Sequence, residues 1–118
     1  MSSSHGMLEN IILNAVWHTE QYMDNPISVA DVQDKINQLN KSKSWAYTTV
    51  KTVLDRLVDK GFIDRIKDGK KYFYKSVIPR EELGRQALKK IAKQYYNGDL
   101  NLLLKAIEKI HQEEIAYV

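Results

Sequence analysis

Apolar residues recur at every third or fourth position in five segments of the chain, which is the spacing of helices that bury one face. The first three segments run from Met7 to about Tyr22, from Ser28 onward, and from about Ala46 to Lys60. Their expected buried faces consist of Leu8, Ile11, Ile12, Ala15 and Val16, then Val29, Val32, Ile36 and Leu39, then Val50, Val53, Leu54, Leu57 and Val58. The pattern therefore predicts three helices in the first half of the chain.

Polar residues, proline and glycine mark the ends of these helices. Pro26 disfavours helical geometry in the residue before it, which ends the first helix. Ser28 and Asp31 have the spacing of a capping box, which predicts the start of the second helix. A polar turn is expected over residues 40–44, and Gly61 is expected to end the third helix just beyond its cap.

Beyond Gly61 the residues favour strands. Residues 62–67 and 71–77 are rich in β-branched and aromatic side chains, and Asp68-Gly69 between them is a strong signal for a tight turn. Three helices followed by a β-hairpin is the order of a winged helix-turn-helix. We therefore expect a mainly α fold with one small hairpin, which is called the wing below.

Two more amphipathic segments follow Pro79, and Asn97-Gly98-Asp99 separates them, which predicts a helical pair. A complete small domain already precedes this pair, so its apolar faces lack an intrachain core and are expected to meet a partner. A second copy of the chain is the simplest partner, since two-fold homodimers are the commonest oligomers. The residues expected to form this dimerisation surface are Leu88, Ile91, Tyr95, Leu100, Leu103, Leu104 and Ile107.

The same pattern suggests where the chain divides. A winged-helix domain is expected over residues 7–78 and a helical dimerisation region over residues 79–118. Residues 1–6 are small and polar and precede an internal methionine, so they are interpreted as a disordered arm or a remnant of cloning.

Composition removes several classes of function. The absence of cysteine excludes disulfides and thiolate metal sites, and His5, His18 and His111 are too scattered for a metal site and are expected at the surface. No apolar run reaches the ~20 residues of a membrane span, and no signal peptide opens the chain, so a cytoplasmic protein without membrane contact is expected. No nucleophile–base motif or dinucleotide fingerprint occurs, so we expect neither an enzyme nor a cofactor.

Positive charge is concentrated in the third helix and the wing. Residues 41–75 contain ten Lys and Arg against four Asp, a net charge of +6, whereas residues 1–40 carry −4 and residues 76–118 carry +1. A basic helix and hairpin in an otherwise near-neutral chain favour a polyanion as partner, most simply the backbone of double-stranded DNA.

The face of the third helix opposite its apolar stripe supplies the candidate DNA-reading residues. Threonine hydroxyl and methyl groups suit base edges in the major groove, Lys51 suits a guanine edge or a phosphate, and Arg56 suits the backbone. Lysines of the wing suit phosphates, which position a domain without reading sequence. The candidates are Tyr47, Thr48, Thr49, Lys51, Thr52 and Arg56 on the helix and Lys67, Lys70 and Lys71 on the wing.

Each of these features also has a plainer interpretation. The helix face is compatible with an ordinary solvated surface, and exposed hairpins commonly carry lysines that protect their edges. Tyr72 and Tyr74 favour packing within the hairpin over base stacking, Trp17 is expected near the core, and Trp45 favours stapling the third helix over contact with sugar-phosphate. A winged-helix module that binds only protein stays open as an alternative, and so does an RNA-binding domain.

The stretch AYTTVKTVLDRLVDKGFIDRIKDGKKYFY, residues 46–74, resembles the core of the penicillinase-repressor family. LENIILNAVW, residues 8–17, is similar to the first helix of that family, and NGDL, residues 97–100, resembles the break between its dimerisation helices. The resemblance implies a homodimeric bacterial transcriptional repressor that binds dyad operators with TACA and TGTA half-site elements. It also implies base and nearby phosphate contacts for Thr48, Thr49, Lys51 and Thr52, and backbone contacts for the wing.

Two induction routes of the family do not match this chain. Copper-responsive members bind metal through a C-terminal cysteine pair motif, which is absent here. Members that respond to β-lactams are inactivated by cleavage of an Asn-Phe bond in the dimerisation helices, where this chain has Ala106-Ile107. The resemblance thus implies a sensor or protease as a further partner, and it leaves open whether proteolysis or a ligand relieves repression.

Overall fold

The computed structural model describes residues 6–24, 26–39 and 44–116, and the chain divides into two compact units between Ile78 and Pro79. Unit 1 contains α1 (Met7–Glu20), β1 (Ile27–Ser28), α2 (Val29–Leu39), α3 (Tyr47–Asp59), β2 (Ile63–Asp68) and β3 (Lys71–Ser76). Unit 2 contains α4 (Arg80–Tyr95) and α5 (Leu100–Ala116). The expected mainly α, winged helix-turn-helix fold is confirmed.

The core of unit 1 forms where one face of each of the first three helices meets the others and the sheet. Its largest fully buried side chains are Tyr74, Ile12, Leu13, Ile27, Ile36, Leu54, Leu57, Ile63, Val16, Val32, Val50 and Val53. Most of the expected apolar faces are therefore buried. Leu8 and Leu39 are exposed instead, at 38% and 58%, because each lies in the terminal turn of its helix, beyond the packed region.

Local hydrogen bonds account for the observed helix boundaries. The Asp31 backbone N–H donates to Ser28 Oγ at 3.1 Å and the Ser28 N–H donates to Asp31 Oδ2 at 2.9 Å, so the predicted capping box is confirmed. Gly61, at φ +82°, donates its N–H to the Val58 carbonyl, and Phe62 donates to the Leu57 carbonyl, each at 3.0 Å. These two bonds form a Schellman motif, which stops α3 and leads the chain directly into β2.

Gly6, the last residue of the expected arm or remnant, makes local hydrogen bonds at the start of α1. Its N–H donates to Glu9 Oε1 at 3.1 Å and its carbonyl accepts from the Asn10 N–H at 3.0 Å, so Gly6 caps α1. Residues 1–5 of the expected arm and residues 40–43 of the expected polar turn lie outside the described residues.

The sheet has three antiparallel strands in the order β1-β3-β2. The sequence pattern missed β1, because two residues are too few to show alternation; Ile27 pairs with Tyr74 and Ser28 with Phe73. The turn of the wing is also shifted from its predicted position. Asp68 pairs with Lys71 as the last pair of the hairpin, so the turn residues are Gly69 and Lys70 rather than Asp68-Gly69.

Gly69 has φ +66°, which suits glycine at the first central position of a type II′ turn. The shifted turn places Lys70 at the tip of the wing and Lys71 at the start of β3. Both lysines are exposed.

The two tryptophans bind the segments that flank α3 and the wing: Trp17 contacts the residue after β3, and Trp45 precedes α3. Trp17 is half-buried, and its Nε1 donates to the Ile78 carbonyl at 3.1 Å, just after β3. Trp45 is 6% exposed. Its backbone N–H donates to Asn37 Oδ1 at 2.8 Å, and its backbone carbonyl accepts from Gln33 Nε2 at 2.9 Å. The predicted stapling of α3 by Trp45 is therefore confirmed.

Unit 2 is a pair of contacting helices joined by a short turn. Asn97 and Gly98 both adopt positive φ, at +54° and +77°, and the Gly98 N–H donates to the Ala92 carbonyl at 2.9 Å. Asp99 Oδ1 accepts from the Asn101 N–H at 2.9 Å, which starts α5 as predicted. Among the described residues of this unit, only Ala92 and Leu103 are buried, so most of its apolar side chains face outward in the single chain.

Candidate nucleic-acid interface

The residues of α3 that lie between its buried positions form the first part of the candidate interface. Because Val50, Val53 and Leu57 point into the core, Thr48 and Thr52 fall on the opposite side and Thr49 on the flank, and all three are exposed. Tyr47, in the first turn, is 48% exposed. The structure therefore places these four predicted side chains where a ligand of α3 could reach them.

Thr52 has already used its hydroxyl hydrogen. Its Oγ1 donates to the Thr48 carbonyl one turn earlier, at 2.8 Å. A threonine bonded in this way keeps its oxygen as an acceptor and its methyl group as an apolar contact. Thr52 can thus accept from an amino group on a base edge or pack on a thymine methyl group.

Lys51 is held more tightly than the sequence suggested. Its Nζ lies 2.8 Å from Asp55 Oδ2, one turn further along α3, and its side chain is 36% exposed. The same ammonium group lies 5.2 Å from the centroid of the Tyr72 ring on β3. Lys51 therefore links α3 to the wing.

Asp55 is the central acceptor of this surface, and the sequence pattern did not single it out. One oxygen, Oδ1, accepts from Arg65 at 3.0 Å and from the Tyr74 hydroxyl at 2.8 Å, while Oδ2 accepts from Lys51. Arg65 lies on β2 and Tyr74 on β3, so one carboxylate connects α3 with both wing strands. The spacing of Lys51 and Asp55, four residues on a helix, was the signal available in the sequence.

The pKa of Asp55 follows from these contacts. Burial raises it, but the hydrogen bonds from Lys51, Tyr74 and Arg65 together outweigh burial and leave the pKa of Asp55 below its ordinary value. The carboxylate is therefore ionised at neutral pH. The pKa of Tyr74 is raised, mainly by burial and then by the hydrogen bond to Asp55. The Tyr74 hydroxyl therefore stays protonated at neutral pH and remains a hydrogen-bond donor.

The lysines of the wing form the second part of the candidate interface. Lys67, Lys70 and Lys71 are exposed, and within the described residues none of them takes part in an ion pair. Lys67 Nζ lies 5.7 Å from the Tyr72 ring centroid, and the Arg65 guanidinium lies 4.8 Å from it. Tyr72 is half-buried under these cations, which agrees with the predicted packing role.

A cleft of about 390 Å³ lies where the helix and the wing face the start of α2. Its lining residues are Ser28, Val29, Ala30, Tyr47, Lys51, Lys70, Lys71 and Tyr72. The cleft brings together four of the predicted site residues, two from α3 and two from the wing. Three lysines around one concave surface favour an anionic occupant.

Arg56 lies apart from this group. Its guanidinium is 3.9 Å from Glu9 Oε2 on α1, and Lys60 Nζ is 2.8 Å from Glu9 Oε1. Glu9 itself is only 3% exposed. Arg56 therefore faces a buried carboxylate near the end of α3, while more than half of its side chain stays exposed.

The two described histidines, His18 and His111, lie on different helices. His18 was expected at the surface but is half-buried, with its ring 5.4 Å from that of Tyr22, because the end of α1 packs against neighbouring elements. His111 is exposed as expected, and His5 lies outside the described residues. No cluster of possible metal ligands occurs in residues 6–24, 26–39 and 44–116. Within the same ranges, no helix combines the length and apolar character that crossing a membrane requires.

Comparison with known proteins gives a consistent family. A family model described as penicillinase repressor matches residues 5–117. The methicillin resistance regulatory protein MecI of Staphylococcus aureus strain N315 is 31% identical over 107 residues, which cover 88% of this chain and 80% of that protein. A penicillinase repressor of Staphylococcus aureus is 27% identical over 112 residues, covering 92% of this chain and 82% of that protein.

A solved structure supports the fold independently of close sequence similarity. The complex structure of hsRosR-S1 matches 97% of this chain and 96% of its own, with a TM-score of 0.54 and 12% identity. At that identity the match supports the architecture alone.

Proposed function

Because the chain belongs to the penicillinase repressor family, we propose that it is a sequence-specific DNA-binding transcriptional repressor that acts as a homodimer on a dyad operator. The related proteins are regulators and repressors rather than enzymes, so this chain is not an enzyme. One observation carries the proposal: Tyr47 and Lys51 of α3 line one cleft together with Lys70 and Lys71 of the wing, and the threonines of the same helix are exposed.

In this function, α3 enters the major groove and the wing follows the backbone. Thr48, Thr49 and Thr52 contact base edges, which specify sequence. Lys67, Lys70 and Lys71 contact phosphates, which set the orientation of the domain and supply affinity that depends on salt. The α4–α5 pair joins two subunits, so that two copies of α3 meet the two halves of a TACA/TGTA dyad.

The proposal is tested by fluorescence anisotropy with two duplexes, a TACA/TGTA dyad and a scrambled sequence of the same composition. Wild-type protein is expected to bind the dyad more tightly, with an affinity that falls steeply as salt rises. The double variant Lys51→Ala, Thr52→Ala is expected to lose about 1–3 kcal/mol of discrimination for each good base contact it removes.

The wing is tested separately with Lys70→Gln, Lys71→Gln. This variant is expected to weaken binding to both duplexes equally and to lower the slope of log K against log salt by about 0.9 for each phosphate that is no longer neutralised. Lys89→Gln, Lys90→Gln on α4 removes the same charge outside the interface and is the matched control. Wild-type protein that binds neither duplex at low salt would contradict DNA binding and favour the protein-binding alternative.

A further inference from the structure

An acidic side chain lies in the middle of the basic surface proposed to bind DNA. Asp55 is on α3, one turn beyond Lys51, and its side chain is 28% exposed. DNA-binding surfaces are enriched in positive charge because affinity comes largely from neutralised phosphates. A carboxylate at this position opposes that effect, so its contacts need a physical explanation.

Asp55 occupies two cations that would otherwise be available to phosphates. Lys51 Nζ lies 2.8 Å from Oδ2 and Arg65 Nη1 lies 3.0 Å from Oδ1. Both side chains are more than a third exposed, at 36% and 38%. A phosphate oxygen would form the same charge-assisted hydrogen bonds that the Asp55 oxygens form, so phosphate and carboxylate compete for these two cations.

The position of the carboxylate is set from inside the protein. The Tyr74 hydroxyl donates to Oδ1 at 2.8 Å, and the Tyr74 side chain is completely buried. A buried donor of this kind holds the carboxylate in place while its cationic partners stay at the surface. The Asp55 pair with Lys51 also keeps that side chain along α3, and the Tyr72 ring lies 5.2 Å from its ammonium group on the wing side.

Resting on the proposed DNA-binding function, we infer that Asp55 is a specificity-determining positioning residue: it withholds Lys51 and Arg65 from phosphates and orients Lys51 along the base-reading face. Binding to arbitrary DNA comes essentially from cation–phosphate contacts, so withholding two cations weakens it. Binding to the operator also uses base contacts, for which an oriented Lys51 is an advantage. Asp55 therefore widens the gap between operator and non-operator affinity.

The test measures affinity for random-sequence DNA and for the duplex that the wild-type chain enriches from a random library. Asp55→Asn keeps the shape of the side chain and removes its charge. It is expected to bind random duplex about fivefold tighter, because two exposed ion pairs are released. The slope of log K against log salt is expected to become steeper by up to about 2 per subunit. Its affinity for the enriched duplex is expected to change by less than twofold, so the specificity ratio falls about fivefold.

Asp59→Asn is the matched control, since Asp59 lies on the same helix, is exposed, and makes no ion pair within the described residues. It makes the same charge change and is expected to shift random-duplex affinity by less than twofold. Equal effects of the two variants would overturn the role of Asp55 and leave the DNA-binding function standing. A wild-type chain that enriches no sequence and binds no duplex would instead overturn the function itself.

Thermal unfolding shows whether Asp55→Asn folds as well as the wild-type chain. If it does not, Arg65→Gln tests the same inference, with Lys71→Gln as its comparison. Arg65→Gln and Lys71→Gln each remove one positive charge from the wing, but only Arg65 is held by Asp55. Arg65→Gln is therefore expected to weaken random-duplex binding less than Lys71→Gln does. An equal or larger loss for Arg65→Gln would show that Asp55 does not withhold this cation.

Discussion

At the scale of single residues, two carboxylates connect different elements of unit 1. Glu9 is 3% exposed and joins α1 to the end of α3 through Lys60, while also accepting the Gly6 N–H. The hydrogen bond from Lys60 lowers the pKa of Glu9 most, burial opposes it, and the balance leaves the pKa below its ordinary value of 4.5. Asp55 makes the corresponding connection between α3 and the wing.

Glu9→Gln is expected to lower the free energy of unfolding by about 1–2 kcal/mol at pH 7, because it removes the charge from the bonds with Lys60 and Gly6. The folded-state pKa of Glu9 is depressed, so its stabilisation is complete above pH 4.5 and disappears as the pH falls below that value. Urea denaturation at pH 7 and in acid checks both statements. Asp34→Asn, exposed on α2, is the control. A difference in the free energy of unfolding between Glu9→Gln and wild type that stays the same in acid would refute this account.

Tyr74→Phe is expected to cost about 1–3 kcal/mol of stability at pH 7, since the charged Asp55 loses a buried donor. The pKa of Tyr74 is raised above its ordinary value of 10, so its contribution is complete below pH 10 and declines as the pH rises above it. Denaturation midpoints at pH 7 and in stronger alkali measure the difference. Tyr22→Phe, at a site 73% exposed in the same unit, should leave stability unchanged; similar losses for the two variants would argue against the Asp55 contact.

At the scale of elements, the ending of α3 determines where the wing begins. The Schellman motif at Gly61 reverses the chain within two residues, so β2 starts at Ile63 and packs back on α3. This close connection brings Arg65 and Tyr74 within reach of Asp55. One glycine and one carboxylate thus help to fix the wing against α3.

Gly61→Ala is expected to destabilise unit 1 by about 1–2 kcal/mol, because an L-residue at φ +82° is strained even though its Cβ would meet no neighbouring atom. Gly84→Ala is the matched comparison: it lies inside α4, without positive φ and without a close neighbour, and should stabilise its helix by about 0.5–1 kcal/mol. Thermal unfolding of both variants gives the signs. A stabilising Gly61→Ala would contradict the role of positive φ at this stop.

At the scale of the whole molecule, unit 2 exposes an apolar surface that a single chain does not cover. The exposed side chains include Leu88, Ile91, Tyr95, Leu100, Leu104 and Ile107, all predicted for dimerisation, whereas Leu103 is 8% exposed and already buried within its own subunit. An apolar surface of this extent on a small helical pair favours association. The homodimer remains a prediction; two-fold symmetry of this kind is what the proposed dyad operator would require.

Leu104→Glu, Ile107→Glu is expected to convert a dimer into a monomer, because burying two carboxylates in an apolar interface is costly. Sedimentation velocity at micromolar concentration measures the change, and binding to the full dyad should fall more than binding to a half-site. Leu39→Glu alters an equally exposed apolar residue in unit 1 and should leave the mass unchanged. A wild-type chain that sediments as a monomer would refute the dimer.

Local patterns in the chain were sufficient for the helices, the start of α2, the stop of α3, the two strands of the wing and the concentration of basic charge. Periodicity, capping residues and turn residues act over a few positions, so they can be read without knowing what is nearby in space. The family resemblance carried by residues 46–74 added the repressor family, which the comparisons confirm.

Only the tertiary structure decided which distant groups meet. Glu9 binds Lys60, which is 51 residues away in the chain, and Asp55 binds Tyr74, which is 19 residues away. Ile27 pairs with Tyr74 in the two-residue strand β1, which is too short to be predicted from sequence. Such partners depend on how packed faces bring side chains together, and no short-range spacing encodes them. Local sequence patterns therefore determined most elements of this protein, whereas packing determined the ionic contacts between those elements.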